Sequence, residues 1–134
     1  MGTSKRVECQ VAYVTILADD IVALSNFYQQ LFGLDEVELR TEHYRGLDMN
    51  GTVLSFSAPT AYDMLGLEKP AGPRQVHGFV SFTVPVADKV AEYTQKALTL
   101  GATLAREPHT TYYGAWLSVL KDPEGNAFRI YYEH

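Results

Sequence analysis

Cysteine and long apolar runs are both scarce in this sequence, and each absence narrows what the chain can be. A single cysteine, Cys9, among 134 residues excludes an internal disulfide and suits a reducing compartment. No apolar run approaches the roughly 18 residues that a membrane span needs, so a membrane partner is not expected. Residues 1–6 lead into no apolar segment, so we expect no secretory signal and a cytoplasmic location.

Positively charged residues are also few. The chain has 11 Lys and Arg against 16 Asp and Glu, which gives a formal net charge of -5. The basic residues are scattered, whereas nucleic-acid-binding proteins mass them in a patch or stripe, so no nucleic-acid partner is expected. Hydrophobic residues at 46% and charged residues at 20% are typical of an ordinary globular domain.

The first half of the chain reads as a strand, a helix and three further strands. Residues 11–18, VAYVTILA, are β-branched and apolar, and Asp19 or Asp20 can then cap a helix over IVALSNFYQQLF that ends at Gly33. The segments DEVELR, RGLDMN and TVLSFSA predict three strands. Between the last two strands, Asn50-Gly51 predicts a tight hairpin turn.

The second half repeats this order. HGFVSFTV predicts a strand, VADKVAEYTQKALTLG an amphipathic helix, and ATLAREP, AWLSVL and NAFRIYYE three more strands. The proline-rich segment 59–73 predicts a linker with a short helical turn. We therefore predict one structural domain over 1–134, with a first module at 7–60, a linker at 61–75 and a second module at 76–134.

Each βαβββ module has one helix to cover one face of its sheet, so the other face stays open. We therefore predict an α+β fold in which the two modules pair into a curved mixed sheet around a cavity. Period-two alternation predicts which side chains share the inward face. They are Val53, Ser55 and Ser57 on the fourth strand, His77, Phe79, Ser81 and Thr83 on the fifth, and Ala127, Arg129 and Tyr131 on the last.

The repeated pattern resembles the vicinal oxygen chelate superfamily, which includes glyoxalase I, bleomycin-resistance proteins, fosfomycin-resistance enzymes and extradiol dioxygenases. The resemblance covers roughly residues 11–132, and its most specific pieces are the helix end FYQQLFGL and the turn DPEGN before the final strand. It implies the paired βαβββ fold and a small molecule bound in the central cavity. It also implies a homodimer as the usual assembly.

Metal-using members of that superfamily place His, Gln or Glu at one inward position on four strands. The matching positions here are Tyr13, Ser55, Phe79 and Arg129. A phenylalanine has no donor atom, and an arginine keeps its proton and repels a cation. We therefore expect no metal and no other cofactor at this position, and we do not expect the extradiol dioxygenase reaction, which needs two His and one Glu on iron.

Arg129 lies among aromatic residues on a strand whose composition predicts burial. A buried guanidinium needs a negatively charged partner, because leaving it alone is costly. Two explanations stay open. One is an internal salt bridge to Asp48, Glu38 or Glu107. The other is an anionic ligand whose carboxylate or phosphate group fits the guanidinium fork.

The aromatic residues predict a site for a flat or hydrophobic small molecule, since nine Tyr and one Trp are many for this length. The segment HTTYYGAW resembles the superfamily's loop before its seventh strand and is predicted to form a rim or lid. Trp116 or a neighbour is a further candidate, because the sequence does not fix the face of that strand. Of the four histidines, His77 alone shares the inward face. The predicted ligand-binding residues are Tyr13, Ser55, His77, Phe79, Trp116, Arg129 and Tyr131.

Three functions remain open from the sequence. The first is a metal-free protein that binds an aromatic or carboxylate-bearing small molecule. The second is a metal-independent isomerase, lyase or tailoring enzyme in which Tyr13, His77 or Arg129 acts as acid, base or oxyanion stabiliser. The third is a regulatory domain that has lost its ligand. No nucleophile and base stand at a diagnostic spacing, so we favour binding and leave enzymatic activity undecided.

Overall fold

The computed structural model describes residues 7–133. Residues 1–6 and His134 lie outside the described residues. The expectation about a secretory signal rests on residues 1–6. Within the described range the elements in chain order are β1 (Tyr13–Leu17), α1 (Ile21–Phe32), β2 (Tyr44–Asp48), β3 (Val53–Ser57), α2 (Ala61–Met64), β4 (Phe79–Thr83), α3 (Asp88–Thr99), β5 (Thr103–Thr110), β6 (Trp116–Lys121) and β7 (Ala127–Tyr132).

The strands form two mixed sheets. The first has the order β1-β3-β2 and the second the order β4-β7-β6-β5. Both repeat one topology, because β1 runs parallel to β3 as β4 runs parallel to β7, while the remaining neighbours are antiparallel. The predicted α+β fold of two βαβββ-like modules is confirmed. Between residues 7 and 133, however, the sheets stay separate and do not close into one curved sheet.

One predicted strand, DEVELR, is wrong. Only Glu36 forms a bridge, to Leu47, and the Val37 N–H donates to the Gly46 carbonyl at 2.9 Å. The segment lies along the edge of the first sheet without continuous pairing. Its apolar residues give little burial to hold it there, since Val37 is only half-buried and Leu39 is exposed.

The local signals at the ends of elements are confirmed. The Asp20 side chain accepts a hydrogen bond from the Ala23 N–H at 3.0 Å and so caps α1. Gly33 ends that helix in the left-handed region, at φ 65°. Asn50 and Gly51 form the β2–β3 turn at φ 56° and 116°, a conformation that favours these two residue types. The predicted linker does contain a short helix, α2.

Helix α1 lies between the two sheets and joins them into one core. The Tyr28 ring is stacked on Phe56 of the first sheet at 5.7 Å between centroids. It also meets Phe82 and Phe128 of the second sheet, at 5.7 and 5.5 Å. Tyr28 is only 1% exposed, and Tyr93 of α3 packs against the same core, as their helical spacing predicts. The helices therefore cover one face of both sheets, and we call the opposite side the open face.

The DPEGN turn is a structural connection between the two modules. The buried Asp122 carboxylate, 3% exposed, accepts hydrogen bonds from the Tyr28 hydroxyl at 2.7 Å and from the Glu124 and Asn126 N–H groups at 2.9 and 3.0 Å. Burial, reinforced by the neighbouring Asp122, raises the pKa of Tyr28 far above its usual value, so the phenol stays a donor. The turn that marks the superfamily resemblance therefore holds α1 in place.

The same turn also reaches the start of α1. The Glu124 carboxylate accepts hydrogen bonds from the Asp19 and Asp20 N–H groups at 2.8 and 2.9 Å, and it pairs with Arg74 of the linker at 3.6 Å.

The first sheet falls within 7–60 and the second within 76–134. The module boundaries themselves stay a prediction. None of the helices in the described part of the chain is long and apolar enough to cross a bilayer.

Candidate functional site

A row of side chains crosses the open face of the second sheet. Ser81 of β4 is in register with Arg129 of β7, Arg129 with Val119 of β6, and Val119 with Arg106 of β5. Residues in register across a sheet project from the same face. The row therefore places two arginines on one surface, with a valine between them.

Arg129 lies between two aromatic rings. Its guanidinium carbon is 4.9 Å from the centroid of Phe79 and 5.0 Å from that of Tyr131. Both distances are within the range of cation–π contacts. Its Nε donates to the Ser81 hydroxyl at 2.8 Å and its Nη1 to the Tyr113 hydroxyl at 2.9 Å. These contacts hold the side chain in one orientation, but every partner is neutral.

No carboxylate of residues 7–133 lies within 4.0 Å of the Arg129 nitrogens. The salt bridges proposed from the sequence, to Asp48, Glu38 or Glu107, are therefore not formed in the described chain. Arg129 Nη2 likewise donates to none of the described residues. Among residues 7–133, therefore, the Arg129 guanidinium has a donor group without an acceptor and a charge without an ion-pair partner.

A cavity of about 440 Å³ opens beside Arg129. Arg106 and Arg129 contribute positive charge, Leu117 and Val119 an apolar floor, and Tyr113 an aromatic wall. Arginines placed over an apolar and aromatic surface suit a small molecule with a flat body and an anionic group.

Tyr131, which stacks on Arg129, also has a defined hydrogen bond of its own. Its hydroxyl donates to the Glu133 carboxylate. This hydrogen bond raises the pKa of Tyr131 above its usual value, so the ring faces the arginine as a neutral phenol. Glu133 is thus hydrogen-bonded to Tyr131 and forms no ion pair with Arg129.

Tyr13 and Ser55 lie on the other sheet. Thr15 and Ser55 are in register, and their hydroxyl oxygens are hydrogen-bonded at 2.6 Å. Ser55 is fully buried, whereas Tyr13 is 61% exposed. Neither residue lines the cavity beside Arg129. Tyr13 and Ser55 alternate onto the same side of the first sheet, but the described chain does not bring them to Arg129.

His77 and Trp116 are also placed apart from Arg129. His77 precedes β4 and lines a separate cavity of about 290 Å³ with Tyr62 and Arg74. Trp116 is in register with Tyr132 and packs against the core, so it faces the helices. The candidate acid and base residues of the enzyme hypothesis, Tyr13 and His77, therefore share no cavity with Arg129.

Phe79, Arg129 and Tyr131 do come together as the sequence predicts, but Arg106 was missed. The β5–β6 pairing shifts register twice, between Leu104 and Arg106 and again before His109. Such bulges break the count of alternating residues on which a sequence prediction depends. The HTTYYGAW segment was predicted as a rim, and its Tyr113 does reach Arg129.

The positions that match the superfamily's metal ligands do not fit a divalent ion. Phe79 offers no donor atom, Arg129 is permanently charged, and Tyr13 and Ser55 lie on a different sheet. No group of three or more His, Cys, Asp or Glu that could hold a metal ion occurs among residues 7–133.

Comparisons with known proteins identify relatives of this architecture. The family model described as a glyoxalase-like domain matches residues 13–131. A glyoxalase/bleomycin resistance protein/dioxygenase family enzyme from Burkholderia phytofirmans PsJN is 38% identical, with a TM-score of 0.84 over 92% of this chain and 98% of its own. No curated protein matches the sequence.

More distant structures share the fold alone. A glyoxalase-related enzyme from Fulvimarina pelagi is 24% identical, with a TM-score of 0.82 over 92% of this chain and 88% of its own. A lactoylglutathione lyase from Agrobacterium tumefaciens is 20% identical, with a TM-score of 0.70 over 92% of both chains.

Proposed function

We propose that this chain, which belongs to the glyoxalase-like family within the glyoxalase/bleomycin resistance/dioxygenase superfamily, binds a small aromatic anion in the cavity beside Arg129, without a metal ion. The observation that carries this proposal is the guanidinium of Arg129, which lies between Phe79 and Tyr131 and forms no ion pair with any described residue. Members of one superfamily differ widely in chemistry, so the function rests on this site and not on the fold.

An anionic group supplies what Arg129 lacks. Its protein partners are two hydroxyls and two rings, and none of them offsets its charge. A carboxylate can accept hydrogen bonds from the guanidinium and neutralise it, and such charge-assisted bonds are stronger than neutral ones. The apolar floor at Leu117 and Val119 suits a flat ring attached to that carboxylate.

Benzoate is the probe that tests this proposal. We expect benzoate to raise the melting temperature in a thermal-shift assay, and a ligand at 100 times its Kd adds about 2.7 kcal/mol to the free energy of unfolding. Benzamide, which has the same shape and no charge, is the control and is expected to give little shift. EDTA treatment should leave the benzoate effect unchanged. Equal shifts with benzamide, or loss of binding with EDTA, would contradict the proposal.

We prefer binding to catalysis because Tyr13 and His77 lie outside the cavity that holds Arg129. The alternative function is a metal-independent isomerase, lyase or tailoring enzyme. Binding and catalysis differ in one observable. A binding protein returns its ligand unchanged after prolonged incubation, whereas an enzyme converts it.

A homodimer is part of the proposal. Large apolar side chains remain exposed on or beside the open faces of the two sheets, including Tyr13 at 61%, Phe79 at 58% and Val11 at 63%. Exposed apolar surface of this kind commonly marks a protein–protein interface. A second copy laid against these faces would bury it and enclose the cavity.

Sedimentation equilibrium tests the dimer. We expect twice the chain mass of 15.0 kDa, and we expect Tyr13→Asp to yield monomers because it places a charge in the apolar face. Val22→Asp is the matched control, since Val22 is an exposed apolar residue on the helix side. A wild-type protein that stays monomeric at all concentrations, or equal effects of the two substitutions, would contradict this arrangement.

A further inference from the structure

Arg106 is a second unpaired arginine in the cavity beside Arg129. Both residues line the same space. Arg106 is exposed, and its side chain has no hydrogen bond or ion pair with any residue between 7 and 133. In a chain whose formal net charge is -5, two uncompensated arginines at one cavity form a local positive site.

The separation of the two arginines is set by the sheet. Arg106 and Arg129 lie in one row on β5 and β7, with Val119 of β6 between them. Neighbouring strands are about 4.8 Å apart, so the two backbone positions are about 10 Å apart. Val119 provides an apolar surface between the two positively charged residues, Arg106 and Arg129. This spacing suits a ligand with two anionic groups on a rigid apolar body.

We propose that the site is specific for planar aromatic dianions, with one anionic group on Arg129 and the other on Arg106. This inference rests on the proposed function, since it assigns Arg129 the same role. The two arginines are not equivalent. Arg129 is held by Ser81 and Tyr113, whereas Arg106 is free to adjust to the second group. Arg129 fixes the position of the ligand, and Arg106 selects for the second charge.

Terephthalate and benzoate are the probes, because they share a ring and differ in one carboxylate. Calorimetric titration of the wild-type protein is expected to give terephthalate at least tenfold tighter binding than benzoate. Arg106→Gln should weaken terephthalate binding about tenfold more than it weakens benzoate binding, so that the two Kd values become similar. Phthalate, whose two carboxylates are adjacent on the ring, cannot span the arginines and should bind no more tightly than benzoate.

Lys121→Gln is the control for general electrostatics. Lys121 is an exposed cation of β6 that does not line this cavity, so its loss should change the affinity for both probes less than twofold. Terephthalate binding that is no tighter than benzoate binding, or that is unchanged in Arg106→Gln, overturns the dianion inference and leaves the Arg129 site standing. Wild-type protein that binds neither probe overturns the proposed function itself.

Discussion

Replacing Arg129 with glutamine is expected to weaken benzoate binding by about ten- to a hundredfold. A hydrogen bond to a charged group contributes about 1.5–3 kcal/mol, and each 1.4 kcal/mol corresponds to about a tenfold change in Kd. Glutamine can still reach Ser81, the partner of the arginine Nε, but it removes the charge, the hydrogen bond to Tyr113 and the cation–π contacts with Phe79 and Tyr131. Calorimetric titration of both proteins measures the difference directly.

Arg129→Lys separates charge from geometry. Lysine keeps the positive charge but loses the planar fork, so its Kd for benzoate is expected to lie between those of the wild type and the glutamine variant. Because Arg129 is only half-buried and makes no ion pair with the described residues, neither substitution should change thermal unfolding much in the absence of ligand. Benzoate affinity that is unaffected in Arg129→Gln would show that the anion binds elsewhere.

Replacing Asp122 with alanine is expected to lower the free energy of unfolding by about 2–4 kcal/mol. The carboxylate accepts hydrogen bonds from the Tyr28 hydroxyl and from the Glu124 and Asn126 N–H groups. Alanine would leave the buried Tyr28 hydroxyl without its acceptor, at a cost of about 1–3 kcal/mol, and would also remove the acceptor of two half-buried N–H groups. Urea denaturation followed by circular dichroism measures the loss.

Tyr28→Phe is the matched control for Asp122→Ala. It removes one of the donors and leaves the aromatic packing against Phe56 and Phe128 in place. We expect it to cost about 1–2 kcal/mol, clearly less than the aspartate substitution. A loss below 1 kcal/mol for Asp122→Ala would mean that the DPEGN turn does not hold the two modules together.

The sequence predicts the repeated architecture and much of the site, because the signals involved are local. Alternation along β4 and β7 correctly groups Phe79, Arg129 and Tyr131, since both strands pair without a bulge. Helix caps and the hairpin turn are also local, and Asp20 and Gly33 act as their residue types predict.

The incorrect and missing predictions have physical causes that a single sequence does not show. Register shifts in β5 hide Arg106 from any count of alternating positions. The face of β6 depends on pairing with β7, and that pairing turns Trp116 toward the core. The segment DEVELR has strand-like composition, but too little of its surface is buried to form a continuous strand. In each case the outcome depends on how strands pair and which surfaces are buried in the folded protein, and the local sequence pattern does not determine either.

A crystal structure of the protein grown with benzoate is the most direct measurement of the Arg129 site. We predict that the benzoate carboxylate lies within hydrogen-bonding distance of the Arg129 guanidinium, with the ring over Val119 and Leu117. If Arg129 instead pairs with a carboxylate of a partner subunit, or benzoate occupies another cavity, Arg129 is not the anion site.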